Sequence, residues 1–231
     1  MTGIDMRKRL LGAACLGLAL ALGACGQSAE GPAASHESME TLPVEKRVAF
    51  MSGHVEAGLA LYRAGAPDQA APHLLHPVSE THEAERAGID ALGFDQAAFI
   101  AVSEALEAGR PAEEIEPLLA AAEANMALMQ TRAGGDPAEV IAYLMDVIDE
   151  EYAIGVTAGT VTDPGEYQDA YGFTVVAIDI AGRMENAGIL LAELDALLML
   201  WPDTGPLAQS VPAPVSQIQA RTGAVRNALE G

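Results

Sequence analysis

The sequence predicts an all-α protein, an array or bundle of about seven helices in antiparallel hairpins. Three observations predict it. Half of the 231 residues are hydrophobic but only 4% are aromatic, and Ala and Leu dominate the apolar set while strand formers are sparse. Apolar residues recur at a period near 3.6 through most of the chain after residue 43. Helix punctuation, in the form of Asp-Pro starts and Gly or Pro stops, divides that stretch into segments of ordinary helix length.

The elements follow in order. Val44 to Ala64 is a predicted helix, with Phe50, Val55, Leu59 and Tyr62 at helical spacing; Gly65 closes it and Pro67 lies just beyond. Asp68 to His76 is a short second helix ended by Pro77. The pair resembles one tetratricopeptide unit, with Gly58, Leu61, Ala70 and Leu74 at that repeat's packing positions. No second copy follows, and a solenoid needs about three, so a single helical hairpin is expected. Ser79 to Leu92 is a third helix stopped by Gly93, and Asp95 to Ala108 a fourth, capped by Asp95 and ended by Gly109. Pro111 to Arg132 is a fifth, with Ile115, Leu118, Leu119, Met126 and Met129 as its apolar positions, before Gly134-Gly135 breaks the chain. Asp136-Pro137 and Asp163-Pro164 each combine an N-cap Asp with Pro at the first helical position. They start a sixth helix running to about Val156 and a seventh running toward Met184, with a tight turn from Gly159 to Asp163 between them. Ile189 to Leu200 is an apolar helix stopped by Trp201-Pro202. Asp203 to Pro214 reads as loop, and Val215 to Leu229 as a weak, frayed terminal helix.

This gives a helical domain over 44–202, with possible lobes 44–133 and 136–202, followed by loop and weak helix over 203–231. Residues 25–43, rich in Ser, Gly, Ala, Pro and Glu, read as a flexible tether. Residues 1–24 read as an export signal: basic Arg7-Lys8-Arg9, an uncharged run from Leu10 to Ala24, and small residues at its end. The run is shorter than the roughly 20 apolar residues a spanning helix needs, and Met6 is a plausible alternative start. Leu22-Gly23-Ala24-Cys25 resembles the lipobox of bacterial lipoproteins. That resemblance implies cleavage before Cys25, acylation of its thiol (palmitate among the chains) and of its new amine, and attachment to the membrane through the lipid. Gly26, where an Asp would retain such a protein in the inner membrane, implies the outer membrane, facing the periplasm.

Charge narrows the partners. The chain carries 12 basic and 33 acidic residues; removal of Arg7, Lys8, Arg9 and Asp5 with the signal leaves 9 and 32, a net charge of −23. Such a surface repels phosphate backbones, so nucleic acid is excluded as a partner and cations remain open. Cys15 leaves with the signal and Cys25 is consumed by lipid, which excludes thiolate-ligated zinc, iron–sulfur clusters and cysteine nucleophiles. No Gly-x-Ser-x-Gly elbow, P-loop, His-Glu-x-x-His or dinucleotide fingerprint occurs. The histidines all precede residue 83, so the later helices cannot supply the paired Glu-x-x-His of a ferritin-type di-iron site. A non-enzymatic protein is expected.

Two sets of residues could hold a metal ion. The first is imidazole: His54, His73, His76 and His82, with His73 and His76 three apart on one helix face, a set suited to zinc, copper or iron. Favourable interaction of histidine with a helix C-terminus accounts for His73 and His76 equally well. The second set is hard oxygen. Glu150, Glu151, Tyr152, Glu166, Tyr167 and Asp169 lie on either side of the predicted turn, so a hairpin would gather carboxylates and phenols there, a chemistry suited to Fe(III), calcium or manganese. Glu166 and Asp169 also complement a helix N-terminus, whereas Asp149 to Glu151 sit near a C-terminus, where negative charge is unfavourable. The stretch from Tyr143 to Phe173, with Asp149-Glu150-Glu151-Tyr152, Gly159 and Gly165-Glu166-Tyr167, resembles the extracytoplasmic helical region of bacterial high-affinity iron permeases. The resemblance implies an accessory role in iron or other metal uptake beside a transporter or receptor protein, without transport itself, because the permeases' Arg-Glu-x-x-Glu helices are missing. The alternative expectation is a helical adaptor lipoprotein that binds a protein partner and needs no metal.

Overall fold

A computed structural model describes residues 41–79, 88–208 and 211–231. It is all-α apart from one minimal hairpin, with eight α-helices among the described residues: α1 (Val44–Arg63), α2 (Pro67–Ser79), α3 (Gln96–Glu107), α4 (Ala112–Ala133), α5 (Pro137–Gly155), α6 (Pro164–Ala181), α7 (Gly188–Leu198) and α8 (Val215–Leu229). No described helix is long and apolar enough to cross a membrane. Cys25, the signal and most of the tether lie outside the described residues, as do His82 and most of the third predicted helix; Asp90–Leu92 is a single 3₁₀ turn closed by Gly93 in the left-handed region.

The Asp-Pro and Gly signals act where the sequence places them, whereas Asp95 precedes α3 without the expected side-chain cap bond. Asp136 accepts from Ala138 N at 2.9 Å and Asp163 from Gly165 N at 3.0 Å, each ahead of a Pro at the start of its helix. α1 ends with Ala66 N donating to Leu61 O and Gly65 N to Tyr62 O, both at 2.9 Å, and Gly65 takes a φ of 80°. That is a Schellman closure, which requires a residue without a Cβ penalty at positive φ.

Three expectations are corrected. The second helix does not stop before Pro77: it runs to Ser79 with Pro72 and Pro77 inside it. An interior Pro costs one hydrogen bond and a clash, but Ala70, Ala71, His73 and Leu74 are buried on this helix, and its packing against α1 and α3 outweighs that cost. The turn after α5 is a β-hairpin, β1 (Val156–Thr157) antiparallel to β2 (Thr160–Val161), with Ala158 and Gly159 at φ of 52° and 75°. Two positive-φ residues between β-branched pairs match the twist of a two-residue hairpin loop. The terminal helix α8 is not frayed: Ile218, Thr222 and Val225 are buried against α5 and α7, and Arg226 bonds Asp146 and Asp149 at 2.7 and 2.9 Å.

Buried side chains form two clusters. One gathers α1 to α4 around Met51, Leu59, Leu74, Phe99 and Met129. The other gathers α5 to α8 around Ile141, Tyr152, Tyr167, Phe173 and Trp201. Helix α1 lies between them, packed on α2 and α4 of the first and on α5 and α6 of the second. Small residues let it touch both sides at backbone distance. A Cβ on Gly172 of α6 would overlap the Gly53 carbonyl and lie 2.8 Å from Ala57 N; one on Gly58 would lie 2.7 Å from Leu74 Cγ and 3.2 Å from Ala70 O of α2. This close seam holds the histidines.

Candidate metal centre

At the seam, α1 contributes His54, α2 contributes His73 and His76, and α6 contributes Asp169. One ligand atom from each of the four lies within 4.8 Å of every other. His54 and His73 each donate Nδ1–H to Asp169 Oδ1 at 2.8 Å, and His76 Nδ1 sits 3.0 Å from His54 Nδ1. Two Nδ1 atoms therefore converge on one carboxylate oxygen, and the third, of His76, lies against one of those two. His54, His73 and Asp169 are buried and His76 is half-buried at the edge. Phe50 lies edge-on to His54 at 4.7 Å and Phe173 at 5.5 Å, and the two phenyl rings stack on each other at 5.2 Å. They wall the centre on one side and lower its local dielectric.

Electrostatics follow from this packing. Burial pushes the Asp169 carboxyl up, but the His54 charge and the hydrogen bonds from both imidazoles outweigh it and hold it well below the ordinary carboxylate range. Burial likewise pulls His73 down, yet its hydrogen bond to Asp169, with Gln168 and Glu166 assisting, brings it above the usual imidazole value. His76 goes the other way: burial, then repulsion from His54 and His73, depresses it to about 4 despite Asp169 nearby. The centre at neutral pH thus holds an ionised carboxylate and at least one neutral imidazole whose Nδ1 faces inward. A four-coordinate ion with bonds of about 2.0–2.1 Å needs donors about 3.3 Å apart. The three bridged separations of 2.8–3.0 Å reach that by an opening of a few tenths of an ångström once the bridging protons leave, and the remaining pairs lie within 4.8 Å. Three imidazoles and one carboxylate fit zinc, copper or iron(II).

The oxygen set does not gather as one group. The α5–α6 hairpin forms, but its carboxylates point three ways. Asp146 and Asp149 turn to Arg226 of α8, and Asp149 also accepts from Thr222 at 2.7 Å. That cationic partner is the reason an acidic residue is tolerated near the C-terminus of α5. Glu151 turns to Glu166; burial, that hydrogen bond and the charges of Glu166, Asp169 and Glu150 raise it far above the carboxylate range, so it is the protonated member of an acid pair. Only Asp169 joins the histidines. Tyr152 and Tyr167 are fully buried core residues packed around Trp201, Tyr152 edge-on and Tyr167 tilted, and the Tyr152 hydroxyl donates to Ala213 O at 2.9 Å. Burial raises both Tyr152 and Tyr143, earlier on the same helix, above the usual phenol value, which disfavours a phenolate ligand.

The sequence missed Gln168, Gln69, Phe50 and Phe173 as neighbours of the centre. It also missed Gly53 and Gly172, whose pairing could be suspected only from a glycine in the middle of each apolar helix pattern.

A family model described as the iron permease-associated 4-helix bundle domain matches residues 129–231. That span holds α5 to α8 and Asp169, and it leaves out the three histidines. No curated protein and no solved structure matches the chain.

Proposed function

We propose that this chain is an envelope lipoprotein that binds a transition metal, iron foremost, at His54, His73, His76 and Asp169. It serves as a non-enzymatic accessory in metal uptake, exchanging the ion with a transporter or receptor. The observation that carries the reading is the convergence of three imidazoles and one ionised carboxylate, from three helices, within 4.8 Å. Buried imidazoles in contact are poor stabilisers by themselves, because their ring nitrogens leave water for a crowd that sets their lone pairs and protons in conflict. A metal ion would resolve that conflict by taking all the lone pairs at once. The match of residues 129–231 to an iron permease-associated domain supports iron and a transporter partner. The excess of acidic residues supports a cationic cargo. The lipobox-like Leu22-Gly23-Ala24-Cys25 supports an anchor at Cys25, and Gly26 an outer-membrane site facing the periplasm.

The test is metal titration of the chelator-stripped full chain in detergent, with Fe(II), Fe(III), Cu(II) and Zn(II), beside the His73→Ala and His76→Ala variants. One equivalent bound at micromolar dissociation constant or tighter, and lost in both variants, is the expected result. Failure with every ion on a folded sample sinks the reading. It would leave the adaptor in front, for which Ile189 of α7 and Met199 just past its end, 75% and 74% exposed, speak.

A further inference from the structure

Gln168 precedes Asp169 on α6 and is buried, 3% exposed. Its Oε1 lies 2.8 Å from His73 Nε2, and its Nε2 donates to Gln69 Oε1 at 2.7 Å. Gln69 and His73 sit four residues apart on α2, so the Gln168 amide reaches across from α6 and bridges two neighbours on one face. An amide has an acceptor end and a donor end. With its donor end engaged by Gln69, the end facing His73 is the carbonyl oxygen. His73 must then keep a proton on Nε2, and Nδ1, whose own proton bonds Asp169, is the nitrogen freed for a cation when that proton leaves. Turning the ring over would put Cδ2–H where Nδ1 faces Asp169 and Cε1–H where Nε2 faces Gln168 Oε1, forfeiting both bonds.

We infer that Gln168, oriented by Gln69, is a positioning residue that commits His73 to the centre as an Nδ1 ligand. This rests on the metal reading above. Gln168 does not touch the ion; it removes the choice of nitrogen and the ring rotation that would accompany it. Partners of this kind are worth about 10–100-fold in metal affinity.

Zn(II) is the probe, because it is diamagnetic, and the sample is the full chain in detergent with ¹⁵N-labelled histidine. In the parent with one equivalent of zinc, the His73 resonances should show Nε2 protonated and Nδ1 bound. Gln168→Leu should bind zinc about 10–100-fold more weakly, with the His73 signal no longer confined to that form. Gln168→Glu keeps an acceptor and should recover most of the affinity and the Nδ1 ligation. Gln69→Ala, at an exposed position, should give an intermediate loss and carries the test if the leucine variant does not fold. Zinc bound in the parent through His73 Nε2, or with undiminished affinity in both Gln168→Leu and Gln69→Ala, overturns the assignment alone. Absence of zinc binding in the parent overturns the metal reading and the assignment with it.

Discussion

Asp169 and Glu151 are buried carboxyls on adjacent helices, 2% and 7% exposed, and they end in opposite states. Asp169 meets the imidazoles of His54 and His73 and stays ionised. Glu151 meets Glu166 and Glu150 and keeps its proton. Burial acts in the same direction on both, raising each pKa, so it cannot be what separates them; the charge of the neighbours decides. The difference also separates roles. An ionised carboxylate among imidazoles is a cation ligand, whereas a proton held between two carboxyls ties two helices together and engages the pair's remaining negative charge in that bond.

The largest effect should come from removing the ionised member. Asp169→Ala would leave His54 and His73 without their common acceptor, and breaking a buried charged pair costs about 3–5 kcal/mol; a large fall in melting temperature together with loss of metal binding is expected. Retained binding would break the contrast. Next is the contact that brings the two halves of the centre together. Gly172→Val would force α1 and α6 apart, an overpacking cost of about 1–3 kcal/mol, and should weaken metal binding even where the fold survives. A variant with parent affinity would show that the close approach does not matter.

Glu151→Gln sharpens the comparison from the other side. A carboxyl with a raised pKa contributes stability below its unfolded value of 4.5, and that contribution is lost as pH rises through its folded value. The amide never ionises, so the variant should be more stable than the parent at pH 8 by about 1 kcal/mol and should bind metal as the parent does. Lower stability at pH 8, seen by chemical denaturation, would mean that Glu151 is ionised after all.

The smallest effect is on acid stability. His76 is depressed from 6.5 to about 4, so its contribution is complete above pH 6.5 and is lost as pH falls toward 4. His73 is raised and contributes in the opposite sense, its share being present below 6.5 and fading as pH rises through its folded value. Asp169, lowered from 3.8, adds a loss only below that value. The parent should therefore lose more stability than His76→Gln between pH 6.5 and 4. Equal slopes in the two denaturation series would place the His76 proton elsewhere. Metal affinity should fall over the same range, since ligands must shed their protons to bind.

Much of this was readable in order along the chain. The Asp-Pro starts of α5 and α6 and the Gly stops of α1 and α3 are local devices, and they act where they stand. The features that were not readable depend on partners far away. α2 continues past Pro77 because α1 and α3 pack on it, which no proline rule contains. The hairpin at Val156–Val161 is shorter than any window in which period-2 alternation is visible. His73 and His76 were legible as one helix face, and Asp169 as one of several acids. Their meeting spans 96 residues of sequence for His73 and rests on the Gly53–Gly172 contact, which leaves no periodic trace. Asp149 was legible as an anomaly, an acid at a helix C-terminus; its answer, Arg226, lies 77 residues on.

The central claim is the identity of the ligands, and X-ray absorption at the metal edge of the iron- or zinc-loaded full chain tests it most directly. Three imidazoles and one carboxylate oxygen about 2.0–2.2 Å from the ion, reduced to two imidazoles in His76→Ala if that variant still retains the ion, is the result predicted. An all-oxygen shell, or one that responds to Glu151→Gln and Glu166→Gln and not to the histidine variant, would contradict it and move the site to the acid pair.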